Sequence, residues 1–122
     1  RVATKHLDGG RVVVIAGGIA RPYFTRDTAA VSLGLELGCD VVLKATKVDG
    51  IFDKDPAKHK DAKLFTELNY QQAIENTDIA VMDKAALGLA LEQKMPLLIY
   101  NSTKPGNLLK AVKGEQIGTF VH

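Results

Sequence analysis

The run Val12-Val13-Val14-Ile15-Ala16-Gly17-Gly18-Ile19-Ala20-Arg21-Pro22-Tyr23-Phe24-Thr25-Arg26-Asp27-Thr28-Ala29-Ala30 decides how the rest of the chain is read. It opens as an unbroken, β-branched apolar stretch, which suits a parallel strand covered on both faces over residues 12–16. Paired glycines follow, and they let the backbone reach φ > 0 and come close to a ligand. The pattern then resumes with helical period over residues 27–37. Ala30, Leu33 or Gly34, and Leu37 fall on one face, and Gly38 stops the helix. Strand, loop, helix is the junction where an α/β sheet usually takes its ligand. Thr25, Asp27 and Thr28 sit where N-caps sit, Arg21 and Arg26 share the loop, and free N–H groups there suit an anion. A plain strand-to-helix turn with a good cap accounts for the same residues. The glycines do not follow the dinucleotide pattern G-x-G-x-x-G.

Working outward, Asp40 to Ala45 reads as a second buried strand, so strand, helix and strand form a right-handed βαβ unit with parallel strands. Thr46 to Pro56 follows the carboxyl end of that strand, with a turn signal at Asp49-Gly50. A long polar excursion continues through Lys58, His59, Lys60, Asp61 and Lys63, and loops of this length are often functional. Leu64 to Leu68 suggests a short strand. Tyr70 to Asn76 reads as a short helix capped by Asn69. Asp83 caps a longer helix to about Lys94 with Leu87, Ala90 and Leu91 on its apolar face, and Pro96 ends it. Leu97 to Tyr100 is a third buried strand. A polar loop, Asn101 to Lys104, follows. Pro105 fits the first turn of a helix that runs to Lys113, and Gly114 stops it. Gly118 to Val121 closes the chain as an edge strand.

The 122 residues make one domain, residues 1–122, with 46% hydrophobic and 25% charged residues, near the soluble average. A net charge of +2 is too small to argue for nucleic acid, and no apolar run is long enough to span a membrane. The single cysteine, Cys39, excludes a disulfide framework and a Cys-based metal site, and a buried, inert thiol is expected. A reducing cytoplasm is the simplest compartment. Val2 to Leu7 reads as the last turns of a helix stopped by Gly9-Gly10, and a chain that opens there is expected to be part of a longer protein.

Three strand-to-loop junctions are expected on one sheet edge. They carry Gly17, Gly18, Arg21, Arg26 and Asp27, then Lys44, Thr46, Asp49, Phe52 and Asp55, then Asn101. Glycine and helix-end amides, cations, an aromatic and carboxylates together suit a phosphate-bearing ligand. There is no Ser-His-Asp order, no His-x-x-x-His pair and no Walker loop, so a kinase of this sequence is not of the P-loop type.

Gly18 to Ala30 (GIARPYFTRDTAA) resembles the signature loop of bacterial uridylate (UMP) kinases, and Asp40 to Pro56 (DVVLKATKVDGIFDKDP) resembles their ATP-binding segment. Val81-Met82-Asp83, Asn101 to Gly106, Lys113 to Glu115 and Gly118-Thr119 continue the likeness in register. The resemblance implies an amino-acid-kinase fold, a three-layer α/β/α sandwich with a mainly parallel sheet, of which this chain is the C-terminal portion. It implies ATP + UMP giving ADP + UDP with Mg²⁺. The UMP wall would be Gly18, Ile19, Ala20, Arg21, Pro22, Tyr23, Phe24, Thr25 and Arg26. Asp27 would organise phosphoryl transfer, and Lys44, Thr46, Phe52 and Asp55 would bind ATP. Ile19, Ala20, Arg21 and Arg26 stand where the family carries small or polar residues, and the two arginines add charge-assisted phosphate donors. The family's N-terminal half has no counterpart here, so these residues alone are expected to bind nucleotide weakly and turn over little. The resemblance further implies a homo-oligomer, a hexamer. Two other readings stay open: a non-catalytic nucleotide-binding module, and a kinase of the same fold acting on a small carboxylate or carbamate.

Overall fold

The computed structural model describes residue 5 and residues 8–10, 26–75 and 82–122. The strand expected over residues 12–16 and the loop from 16 to 25 lie outside these described residues, as does the βαβ unit they would complete. The described elements are α1 (Arg26–Glu36), β1 (Val42–Thr46), β2 (Glu67–Leu68), α2 (Tyr70–Glu75), α3 (Lys84–Gln93), β3 (Leu97–Asn101), α4 (Asn107–Val112) and β4 (Thr119–Val121).

Local chemistry explains most boundaries. Asn69 Oδ1 accepts from Gln72 N at 2.7 Å while Gln72 Oε1 accepts from Asn69 N at 3.0 Å, a reciprocal cap that starts α2. Asp83 caps α3 through a bond from Ala85 N to its side chain. Helices α1 and α4 end alike: the Cys39 amide reaches back to Gly34 O across Gly38, and the Glu115 amide to Lys110 O across Gly114. Both glycines have positive φ, as this C-terminal motif requires. Helix α3 ends the same way, with Met95 N donating to Ala90 O, but the left-handed position is filled by Lys94 at φ 55°. Pro96 therefore lies beyond the stop.

Several expectations are corrected. Cys39 is exposed, not buried, because the α1 stop turns it outward before β1 begins. On α1 the buried positions are Thr28, Ala29, Val31 and Gly34, while Ala30 faces solvent; the stripe is shifted by one residue. Leu91 is 41% exposed, and Ala86 joins Leu87 and Ala90 on the buried face of α3. Of β1, expected to be a buried strand, only Val42 is buried. Pro105 precedes α4 and sits in a turn; Gly106, at φ 83°, is the N-cap. Of residues 64–68 only Glu67–Leu68 is a strand, and Leu64 instead forms an isolated antiparallel bridge with Phe52.

The described strands form one sheet of order β1-β3-β4-β2. Pairs β1–β3 and β2–β4 are parallel, and β3–β4 is antiparallel. The segment expected at an edge, β4, is thus an inner strand with a partner on each side. Gly118, at φ 64°, permits its approach: a Cβ there would overlap the Ile99 carbonyl. Register and side-chain alternation assign the faces. Val42, Leu97, Ile99, Leu68 and Val121 share one face and pack with Val31, Tyr70, Ala73, Leu87 and Ala90 of α1, α2 and α3. Gly34 brings α1 close to β1, since a Cβ there would stand 2.8 Å from the Val42 side chain. Leu97, Ile99, Val31 and Val121 are fully buried, and each such side chain contributes roughly 1.5–3 kcal/mol. The other face, with Leu43, Leu98 and Phe120, meets Ala111 of α4. Helices therefore lie on both faces of a mixed sheet, the three-layer α/β/α arrangement.

Candidate functional site

Parallel pairing of β1 with β3 puts Thr46 and Asn101 side by side at the carboxyl ends of both strands. Lys44 lies two residues before Thr46 and so projects from the same face, the one covered by α1 and α3. Asp27 is in the first turn of α1, where the helix dipole favours a carboxylate. Lys44 Nζ stands 2.6 Å from Asp27 Oδ1. The backbone amide of Asp83, at the start of α3, donates to Asp27 Oδ2 at 3.0 Å. Thr28 Oγ1 donates to Asp83 Oδ2 at 3.4 Å, which links the two helix starts directly. Asp27 is thus held from three elements, with its carboxylate half-sheltered. A fixed carboxylate beside an ammonium group can orient a charged reactant and balance charge that moves during group transfer.

The next cluster lies at the strand ends. Thr46 O accepts from Ser102 N at 2.9 Å, and Thr46 Oγ1 accepts from Val48 N at 3.4 Å. Asp49 Oδ1 accepts from Asn101 Nδ2 at 3.1 Å and pairs with Lys104 Nζ at 2.9 Å. The Lys104 ammonium and then the Asn101 amide hold the Asp49 carboxyl below its ordinary range. Beyond it the excursion closes on itself. Phe65 N donates to Ile51 O at 2.8 Å, Asp53 N to Lys63 O at 3.0 Å, and Lys63 N to Asp53 Oδ1 at 2.8 Å. Asp55 holds a turn, its Oδ1 accepting from Ala57 N and its carbonyl from His59 N. The 46–64 segment is therefore a pinned hairpin-like loop.

The structure brings Asp27 and Lys44 into contact and places Thr46 beside Asn101. Phe52 lies on the excursion, bridged to Leu64, and Asp55 lies in its turn. Arg26 opens α1 and is exposed. Gly17, Gly18, Ile19, Ala20, Arg21, Pro22, Tyr23, Phe24 and Thr25 lie outside the described residues. Lys44, expected to meet phosphate or solvent, pairs with Asp27. The Asp49–Lys104 pair was not foreseen; the Asp-Gly turn was its only local trace. Among the described residues no group of three His, Cys, Asp or Glu side chains could cage a metal. A groove of about 520 Å³ lies on the opposite sheet face, lined by Leu43, Leu98, Phe120, Ala111 and Ile117 among others, and is away from this chemistry.

Among the described residues no helix is long and apolar enough to cross a membrane. A family model described as the amino acid kinase family matches residues 1–101. The chain is similar to a uridylate kinase of Campylobacter concisus, 49% identical over 97% of this chain and 49% of that protein. It is similar to a chloroplastic uridylate kinase of Arabidopsis thaliana, 46% identical over 99% of this chain and 35% of the relative. Among solved structures, the UMP kinase from Bacillus anthracis superposes with a TM-score of 0.91 at 36% identity, covering 99% of this chain and 50% of that one. The chain spans about half the length, or less, of the curated relatives it matches.

Proposed function

This chain belongs to the amino acid kinase family, and we propose that it forms the C-terminal, nucleotide-binding portion of a UMP kinase. The reaction is transfer of the γ-phosphoryl group of ATP to UMP, giving ADP and UDP, in pyrimidine nucleotide biosynthesis. The observation that carries this reading is Asp27, held between Lys44 and the Asp83 amide at the carboxyl ends of parallel strands. Phosphoryl transfer asks mainly for positioning and charge balance, and this arrangement offers both.

In this reading Gly18 to Arg26 form the UMP wall, with Tyr23 and Phe24 near base and ribose. Thr46, Phe52 and Asp55 form the ATP wall. Asp27 orients the reacting groups, and Lys44 both fixes Asp27 and offers a cation to the phosphates. Mg²⁺ bound with ATP would neutralise phosphate charge there. The protein works as a homo-oligomer, a hexamer, in the cytoplasm; the chloroplastic relative shows that compartment varies among similar proteins.

Thermal shift with UMP, CMP, aspartate and ATP tests the reading, because a ligand that binds the folded state raises its melting temperature. Stabilisation by UMP and ATP but not aspartate is expected. Stabilisation by aspartate alone points to a small-acid kinase of the same fold. Nucleotide binding without UDP formation by the complete protein, of which this reading makes the chain a portion, points to a non-catalytic module.

A further inference from the structure

We infer that Asp49, Asn101 and Lys104 form a latch that holds the ATP wall in its binding shape, with Asp49 and Lys104 acting as positioning residues. The inference rests on the nucleotide reading above and adds residues that it does not use.

Asn101 is the fixed part. It ends β3, is buried, and its Oδ1 accepts from both Thr103 N at 2.9 Å and Thr103 Oγ1 at 2.5 Å. With the oxygen taken by two donors, the amide nitrogen is the end that faces Asp49. Asn107 Nδ2 of α4 bonds the Asn101 carbonyl at 2.9 Å, so the group is anchored to a helix as well as a strand. Lys104 supplies a second donor to the same Asp49 oxygen.

Asp49 is the loop's side of the latch. It lies between Thr46 and Phe52, two residues of the proposed ATP wall, in a loop that leaves β1. Downstream, the loop is already pinned at Ile51, whose amide donates to buried Thr119 Oγ1 at 2.9 Å. Between Thr46 and Ile51, among the described residues, the Asp49 carboxylate makes the side-chain ties to another part of the fold. With Lys104 and Asp49 side chains 59% and 43% exposed, the ion pair alone is a modest interaction. Its effect is therefore expected on loop geometry and ATP affinity rather than on global stability.

The test uses the complete protein of which this reading makes the chain a portion, with Asp49→Asn, Lys104→Met and the conservative Lys104→Arg. Calorimetry gives affinities for ATP and UMP, and hydrogen exchange follows the amides of residues 47–56. Asp49→Asn and Lys104→Met are each expected to weaken ATP about threefold to tenfold, leave UMP within about twofold, and speed exchange in 47–56 only. Lys104→Arg, which keeps a charged donor beside Asp49 and leaves the Asn101 bond in place, should retain most of the ATP affinity. Wild-type ATP affinity and wild-type exchange in both Asp49→Asn and Lys104→Met overturn the latch. Absence of ATP affinity in the unsubstituted protein overturns the nucleotide reading, and the exchange data keep that failure separate from failure of the latch contacts.

Discussion

Lys44 Nζ sits 2.6 Å from Asp27 Oδ1 across the gap between β1 and the start of α1. The two residues are 17 apart in sequence, and only the packing of α1 on β1 joins them. With the Asp83 amide on its other oxygen, both carboxylate oxygens of Asp27 are held. In the complete kinase of which the proposed function makes this chain a portion, Lys44→Met should lower kcat by about 10²–10³-fold, the usual cost of one lost stabilising donor. Lys44→Arg should retain more, since it keeps the charge but not the geometry. Steady-state kinetics at saturating ATP and UMP check this, and a Lys44→Met enzyme with unchanged kcat sinks the role.

Lys94 gives a prediction about stability alone. It holds the left-handed position at the end of α3, which Gly38 and Gly114 hold after α1 and α4. An L-residue there costs roughly 1–2 kcal/mol, and glycine returns part of that gain through its larger unfolded entropy. Lys94→Gly should therefore stabilise by about 0.5–1 kcal/mol, read as a higher urea midpoint at constant m-value. A lower midpoint would refute the account.

Local features were legible and pairings were not. The caps at Asn69 and Asp83 and the stops at Gly38 and Gly114 depend on residues within one turn, so sequence spacing shows them. The inner position of β4 depends on which strands meet it, which no window around Gly118 contains. Cys39 departs from a thiol's usual burial because it follows a helix stop and faces solvent. At the site, Asp27 was marked by its place in the first turn of α1. Its partners Lys44 and Asp83 come from other elements, and Asp49 finds Lys104 across the strand ends, so these contacts required the fold.

Tyr70 should confer a pH-dependent difference at alkaline pH. It is buried, its hydroxyl donates to Met95 O at 2.6 Å, and burial raises its pKa above the ordinary value. A raised folded-state value means the contribution is fully present below the unfolded pKa, near 10, and is lost as pH rises through the folded one. Tyr70→Phe should cost about 1 kcal/mol at neutral pH, the worth of one hydrogen bond. Above pH of about 10 the gap between the two proteins should narrow, because only the unfolded wild-type tyrosine has ionised. Denaturant titrations of both proteins from neutral to strongly alkaline pH measure the gap directly, and a gap that widens with pH contradicts the assignment.

Thr119 joins the proposed ATP wall to the core, and its loss should be the most damaging of these changes. Its side chain is fully buried in β4. Oγ1 accepts from Ile51 N at 2.9 Å and donates to Phe65 O at 2.5 Å, so one hydroxyl clamps both arms of the 46–64 excursion. Gly50 allows the fit, since a Cβ there would stand 2.5 Å from that hydroxyl. Thr119→Val preserves shape and removes the hydroxyl, leaving a buried N–H without its acceptor and costing the Phe65 carbonyl a donor. At about 1–3 kcal/mol for each such group, the loss should reach about 2–6 kcal/mol. Thr119→Ser keeps both bonds and loses one buried methyl, so it should cost only about 1 kcal/mol. Chemical denaturation ranks the variants, and hydrogen exchange at Ile51 locates the damage. Equal costs for Val and Ser would mean that packing, not the clamp, holds the loop to the sheet.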